Sequence, residues 1–433
     1  MGNNFYNSLC ILILIACLAS CTYTSQTDVA SIAPAEPTLQ YTIATATPLD
    51  RVERDRIFYA CSQYYDTALL PSGFNGGILV AKGGQVIFEK YRGYQNLDSQ
   101  VAIQANTPMH IASVSKTFTA MAILKMHEQG LLNINDSVGK YLTSFNYDKV
   151  TIKTLLTHRS GLPNYLHFLK EVGWADSLSM KNEDLLQLLV QKKMLFTTLL
   201  PADTKFAYNN TNYALLALII EKVSGINYAA FMQKNIFTPI GMKNTFVRYN
   251  MDTTKLTNSF DWKGRKIHNN NLDEIYGDKN IYSTPEDLLK WDRVLADSVF
   301  LKPATKALAY LPYSNEKPGI KNYGLGWRMD IYPDGKKIVF HNGWWHGNNA
   351  VFIRLIKDDV TIIVLSNRFA RQVYGSKILV NIFGNYYTEK NDEEEAIIPA
   401  NIPEKYTEEQ KWKSKNEGKL RFRDMNRPES KGE

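Results

Sequence analysis

Two residues that could do chemistry together stand three apart at the head of an apolar run. Ser113 and Lys116, in Ile111-Ala112-Ser113-Val114-Ser115-Lys116-Thr117-Phe118-Thr119-Ala120-Met121, fall on one face of a helix, one turn apart. A serine hydroxyl is a weak nucleophile until a base takes its proton, and a lysine kept neutral by desolvation or nearby cations can be that base. The helix N-terminus would add partial positive charge and free N–H groups beside a developing oxyanion. The spacing recurs at Ser137/Lys140 and Ser314/Lys317, but Ser137 lies in a polar turn and Lys317 precedes Pro318-Gly319. Only after Ser113 does an apolar segment continue, to Met126 and a stop at Gly130. A purely structural reading, in which Ser113 caps that helix, remains open at this point.

Two further groups carry suitable chemistry. Tyr208-Asn209-Asn210 places a phenol and an amide two apart in an extended turn, so both can point into one cleft; the phenol can move protons and the amide can bind substrate and lysine. The pattern also occurs at Tyr94/Asn96 and Tyr313/Asn315, and the position of Tyr208, ahead of an apolar helix and well after Ser113, favours it. His341-Asn342-Gly343 reads as the end of a strand, with a polar side chain facing the cleft and a glycine that lets substrate approach the backbone. The N–H of Trp344 could then pair with that of Ser113 as an oxyanion hole. An unperturbed histidine titrates near ~6.5, so His341 is expected to hold a substrate carboxylate less well as the pH rises from roughly 6 to 8.

The elements that must position these groups follow from patterning. With 433 residues, 44% of them hydrophobic, the chain can bury a large core as one big or two closely packed domains. Its net charge of +7 is spread along the length without a basic block, which gives no support to nucleic-acid binding. A helix over 50–69 leads into a hairpin, Gly77–Ala81 and Gln85–Glu89 around Gly83-Gly84. Helical signals then dominate to about Gly241: 151–157, 182–193 with Asn182 as cap, and 213–223 stopped by Gly225. Ser283-Thr284-Pro285-Glu286 opens another helix with the pattern of a capping box. Strands return at 337–340, 350–356 and 360–365, so both ends of the chain should complete one antiparallel sheet with helices packed on it.

The ends read differently. Leu9 to Ser20 is an apolar run too short to span a bilayer, and Leu18-Ala19-Ser20-Cys21 resembles a bacterial lipoprotein signal, although Met1 to Ser8 holds no Lys or Arg. That resemblance implies a signal over 1–20, lipidation at Cys21, and an exported protein held at a membrane of the bacterial cell envelope, periplasm or outer membrane. Cys10 and Cys17 would leave with the signal and Cys61 would stand alone, so no intrachain disulfide is expected. Residues 21–49 read as a flexible tether, 50–387 as the folded domain, and 388–433 as a charged solvated extension. No Cys/His spacing suggests a metal, and no cofactor is expected.

The order Ser113-x-x-Lys116, Tyr208-x-Asn210, His341-x-Gly343 resembles the serine β-lactamase and penicillin-binding family, in the branch of class C β-lactamases, DD-peptidases, D-aminopeptidases and related esterases. Leu155-Leu156-Thr157-His158-Arg159-Ser160-Gly161-Leu162-Pro163, Ser283 to Leu288 and Tyr323-Gly324-Leu325-Gly326-Trp327 fit the same family in the same order. The resemblance implies an α/β (α+β) fold: an antiparallel sheet flanked by helices (about 50–108 and 281–387) plus a largely helical part (about 109–280), with the cleft between. It implies that Ser113 is acylated, that Lys116 and Tyr208 share the proton transfers, that Asn210 positions substrate, and that His341 stands where many relatives have lysine. Asn342 and Trp344-Trp345 stand where the family often has threonine and a second glycine. The expected activity is a serine hydrolase working through an acyl-enzyme on a peptide, ester or β-lactam; the alternative is a non-catalytic or slowly turning over sensor of cell-wall fragments. No Gly-x-Ser-x-Gly elbow of an α/β-hydrolase exists in the chain.

Overall fold

Apolar residues on both faces of four long strands build a sheet whose centre is buried on both sides. The computed structural model describes residues 40–386 apart from Ser99, Lys170 and 197–199, so the expected signal, Cys21 and the extension over 388–433 lie outside the described residues. The chain enters through α1 (Arg51–Tyr64), capped by Asp50, whose carboxylate accepts the Glu53 N–H at 3.0 Å. The hairpin β1 (Gly76–Lys82) and β2 (Gln85–Arg92) turns at Gly83 and Gly84, both at positive φ. Late in the chain come β3 (Lys321–Tyr323), β4 (Arg328–Ile331), β5 (Lys337–Trp345), β6 (Asn348–Leu355) and β7 (Val360–Ser366). They join the hairpin in one seven-stranded sheet of order β3-β4-β5-β6-β7-β1-β2, antiparallel throughout, so both ends of the chain do complete one sheet.

One face of the sheet, with Ile78, Val80, Phe340, Val351, Ile353, Ile362 and Val364, packs on α1 and on the last helical turns through Ile57, Cys61, Leu379 and Val380. The other, with Leu79, Val339, Phe352, Ile363 and Leu365, shares a core with the helices α2 (Ser115–Glu128), α3 (Asn210–Ser224) and α4 (Pro285–Ala296). The sheet and helical parts therefore share this core rather than each enclosing its own. Among the described residues no single helix is long and apolar enough to cross a membrane.

Several expectations are corrected in detail. The tether expected over 21–49 is not loose to its end, because the backbone of Tyr41 bonds to Pro239, that of Thr47 to Gly83, and Leu49 N–H to the Gln85 side chain. Asn182 does not cap its helix: it is buried and spends its amide on the carbonyls of Ala214 and Tyr276, while Lys181 holds the N-cap position. The capping box at Ser283 is not formed either. Thr284 caps α4 through the Asp287 N–H, and the Ser283 hydroxyl, at the end of a strand, bonds that of Thr245 at 2.8 Å. The strand expected over 337–340 runs on through Trp345, which places His341 in its interior, not at its end.

Candidate active site

A tight turn presents Ser113. Ala112 sits at φ +48, a left-handed conformation that costs an L-residue roughly 1–2 kcal/mol, and Ala112–Val114 form a single 3₁₀ turn ahead of α2. The Ala112 N–H is tied to His110 Nδ1 at 3.0 Å. Ser113 does not cap α2. The N-cap position falls on Val114 with no side-chain bond, and the Ser113 hydroxyl lies 3.0 Å from Lys116 Nζ. The capping alternative is thereby set aside.

Lys116 is wholly buried and has three neighbours: Ser113 Oγ, Asn210 Oδ1 at 2.7 Å and the carbonyl oxygen of Asp278 at 2.8 Å. Two of these can only accept. A neutral amine has two N–H groups and one lone pair, so its donors go to Asn210 and Asp278 and its lone pair faces the Ser113 O–H. Burial lowers the Lys116 pKa to about 7; the Asp278 carboxylate opposes that fall and the Arg328 guanidinium adds to it. Asn210 reaches the lysine because Asn209, extended at φ −146, caps α3 with its own side chain and turns residues 208 and 210 to one side. The Tyr208 ring flanks the amine, its centroid 5.1 Å from Lys116 Nζ.

The strand β5 closes the other wall. A Cβ on Gly343 would meet Ile111 O at 2.4 Å and Ser113 N at 3.1 Å, so glycine is needed here to let the 112–114 turn lie against the strand. Trp344 follows directly, and β4 pairs with β5 only as far as Phe340, leaving that edge beyond it outside the β4 ladder.

His341 does not do what the sequence suggests. It is fully buried; its Nδ1 donates to the Asn342 carbonyl at 2.7 Å and its Nε2 accepts from the Tyr323 hydroxyl at 3.2 Å. Burial, then the charges of Arg328 and Lys116, hold its pKa well below the usual histidine value, which disfavours a titrating carboxylate anchor. Tyr323 is itself 3.1 Å from His158 Nε2, and His158 Nδ1 accepts the Asn209 N–H at 3.1 Å. Burial and then Lys116, His341 and Arg328 depress the His158 pKa as well. With a backbone donor at one end and a backbone acceptor at the other, the three rings have one consistent order: Asn209 N–H to His158, His158 to Tyr323, Tyr323 to His341, and His341 to Asn342 C=O.

Sequence reasoning missed Arg328. It is the first residue of β4, its guanidinium carbon lies 5.0 Å from the Tyr208 ring centroid, and none of the described carboxylates pairs with it. Its Nε is buried without a hydrogen-bond partner among the described residues. It directly follows Tyr323-Gly324-Leu325-Gly326-Trp327, so that landmark was the available signal. His158 likewise lay inside a landmark whose chemistry was not read, and Asp278 contributes through its backbone, which no motif records.

A sequence model described as Beta-lactamase matches residues 73–382, well over half of the chain and all of the site. The chain belongs to the beta-lactamase family. Penicillin-binding protein 4* of Bacillus subtilis (strain 168) is 32% identical over 326 residues, 71% of each chain. Protein flp of Staphylococcus aureus (strain MRSA252) is 28% identical over 314 residues, 67% of this chain and 58% of that one, so the chain spans less than two thirds of that relative. Among solved structures, a penicillin binding protein from Bacillus halodurans superposes with a TM-score of 0.65 at 22% identity over 74% of this chain and 98% of its own, a likeness of fold. Family members of this kind share the serine-hydrolase architecture, and the α/β fold with its antiparallel sheet stands as expected.

Proposed function

We propose that this protein is a serine hydrolase that forms an acyl-enzyme at Ser113 and prefers peptide-like substrates whose leaving group carries a carboxylate. The observation that carries the reading is the coordination of Lys116: two neighbours that only accept, one hydroxyl that can donate, and a pKa near neutrality. In the first step the Ser113 proton passes to Lys116 Nζ as Oγ bonds to the substrate carbonyl carbon. The oxygen that gains charge is received by the N–H groups of Ser113 and Trp344. As the intermediate collapses, the bond to the leaving group breaks, and the proton on Lys116 reaches the departing atom with Tyr208 beside it as the shuttle. Water, deprotonated by the same pair, then releases the acyl group and restores the Ser113 hydroxyl.

Arg328 supports the substrate preference. A cation that none of the described carboxylates pairs with, beside the same Tyr208 ring as Lys116, suits a carboxylate better than a neutral histidine does. An exported, lipid-anchored location through Cys21 belongs to the same reading, as an envelope protein acting on envelope peptides.

The test is intact-protein mass after exposure to activated esters and to a β-lactam. A stoichiometric acyl adduct that forms, turns over, and is absent in Ser113→Ala supports the reading. An adduct on Ser113→Ala overturns the nucleophile, and a stable adduct without steady-state turnover on any substrate favours the sensor alternative.

A further inference from the structure

Both acceptors of the Lys116 amine are supported by one residue that does not itself touch the amine. Tyr165 opens the one-turn helix Tyr165–Phe168, capped by Asn164, just after the loop 155–163, and it is fully buried. Its backbone N–H donates to Thr211 Oγ1 at 2.9 Å, and Thr211 follows Asn210, whose Oδ1 takes one N–H of the amine. Its hydroxyl donates to Asp278 Oδ2 at 2.6 Å, and the carbonyl oxygen of the same aspartate takes the other N–H. Asn210 and Asp278 stand on segments far apart in the chain, and Tyr165 is bonded to both segments.

We propose that Tyr165 is a positioning residue for the Lys116 base: it fixes the two acceptors of the amine relative to each other, so that the lone pair is left facing Ser113. This deepens the serine-hydrolase reading and rests on it.

Each joint is braced. On the Asn210 side, Thr211 Oγ1 donates to Pro163 O at 2.8 Å and Asn209 Nδ2 to Leu162 O at 2.6 Å, which laces that turn to the loop just ahead of Tyr165. On the Asp278 side, Lys279 Nζ donates to the Tyr165 oxygen at 2.8 Å, so the phenol keeps its own proton for the carboxylate. Burial and then the Asp278 charge hold the Tyr165 pKa well above its usual value, so it stays a donor. The second Asp278 carboxylate oxygen is buried without a hydrogen-bond partner among the described residues, and Lys279 Nζ lies 3.6 Å from it. Without the phenol, Lys279 loses an acceptor and the carboxylate a donor, so the two charges close on each other and turn the Asp278 peptide away from Lys116. The backbone on either side stays on α2, through Thr119 Oγ1 to Gly277 O at 2.6 Å and Ile281 N–H to Ser115 Oγ at 3.2 Å, which confines the change to that peptide.

Steady-state hydrolysis of a small neutral ester by Tyr165→Phe tests this, with Tyr147→Phe as the control. Tyr147 buries a hydroxyl bonded to Leu189 O at 2.9 Å, a bond with no link to Lys116. Tyr165→Phe should lower kcat by about 10- to 100-fold and leave KM within about twofold of wild type, while Tyr147→Phe keeps the wild-type kcat. Thr211→Val, which removes the acceptor of the Tyr165 N–H, should lower kcat in the same way; Thr211→Ser, which keeps the oxygen, should hold it near wild type. The Thr211 pair decides alone if Tyr165→Phe does not fold. An unchanged kcat in Tyr165→Phe, or Thr211→Ser as slow as Thr211→Val, overturns the proposal and leaves the hydrolase reading intact. An equal loss in Tyr147→Phe overturns it too, since the effect would then be one of stability alone. Neither hydrolysis nor an acyl adduct on the wild-type protein overturns both readings together.

Discussion

Replacing Arg328 by methionine should move the acid limb of the pH–rate profile upward. With Lys116 as the neutral base of the proposed mechanism, kcat/KM on a small ester without a carboxylate should rise with pH through the pKa of the amine, about 7. Burial is the largest cause of that low value and is unchanged by the substitution. The Arg328 charge works in the same direction, disfavouring a second cation, so its removal lets Lys116 keep its proton to higher pH. Lys116 Nζ and the Arg328 guanidinium carbon lie 5.1 and 5.0 Å from the same ring centroid and so stand no more than ~10 Å apart. At an effective dielectric of about 20 that separation gives ~1.7 kcal/mol, or roughly one pH unit, and added salt should shrink it. The acid limb should therefore move from about 7 to about 8. Asp278→Asn, which removes a charge that stabilises the ammonium, should shift it the other way. A limb that stays put or falls in the Arg328 variant would refute both the electrostatic argument and the identity of the base.

For a substrate with a carboxylate on its leaving group, KM should stay level between pH 6 and 8, because burial holds the His341 pKa well below that range and Arg328, not His341, faces the carboxylate; steady-state KM profiles check it. Arg328→Met should raise that KM by about 10- to 100-fold and leave the KM of a neutral ester unchanged. Gly343→Ala should cut kcat by about 10² while the protein stays folded by circular dichroism, since the added methyl pushes the strand off the nucleophile turn. Detergent-phase partitioning should hold the wild-type chain and release Cys21→Ser; equal partitioning would remove the anchor.

How far the site could be read in advance depended on sequence distance. Ser113 and Lys116 were legible because a helix brings residues three apart together, and Tyr208 and Asn210 because an extended residue does the same two apart. Arg328, His158 and Asp278 reach the site only through the folding of the sheet onto the helices, and no local pattern records that approach. The misreading of His341 has a related origin. The alternation of β5 shows which face a residue takes, but whether that face opens to a cleft or to Tyr323 depends on a chain segment 18 residues away. The sheet itself was visible because its strands are apolar on both faces, whereas Asn182 and Ser283 were misassigned as caps since their polar groups meet partners distant in sequence.

The ordered run of rings from His158 through Tyr323 to His341 also bears on where protons can travel. A wire conducts by reversing every bond in turn, but this one is stopped by a backbone N–H at one end and a backbone carbonyl at the other, neither of which can change role. It is an insulator beside the Tyr208 ring. In the proposed mechanism a proton taken from Ser113 would therefore not leave along this run of rings; it would depart on the cleft side, with the leaving group, so turnover and proton release should be bound into one event.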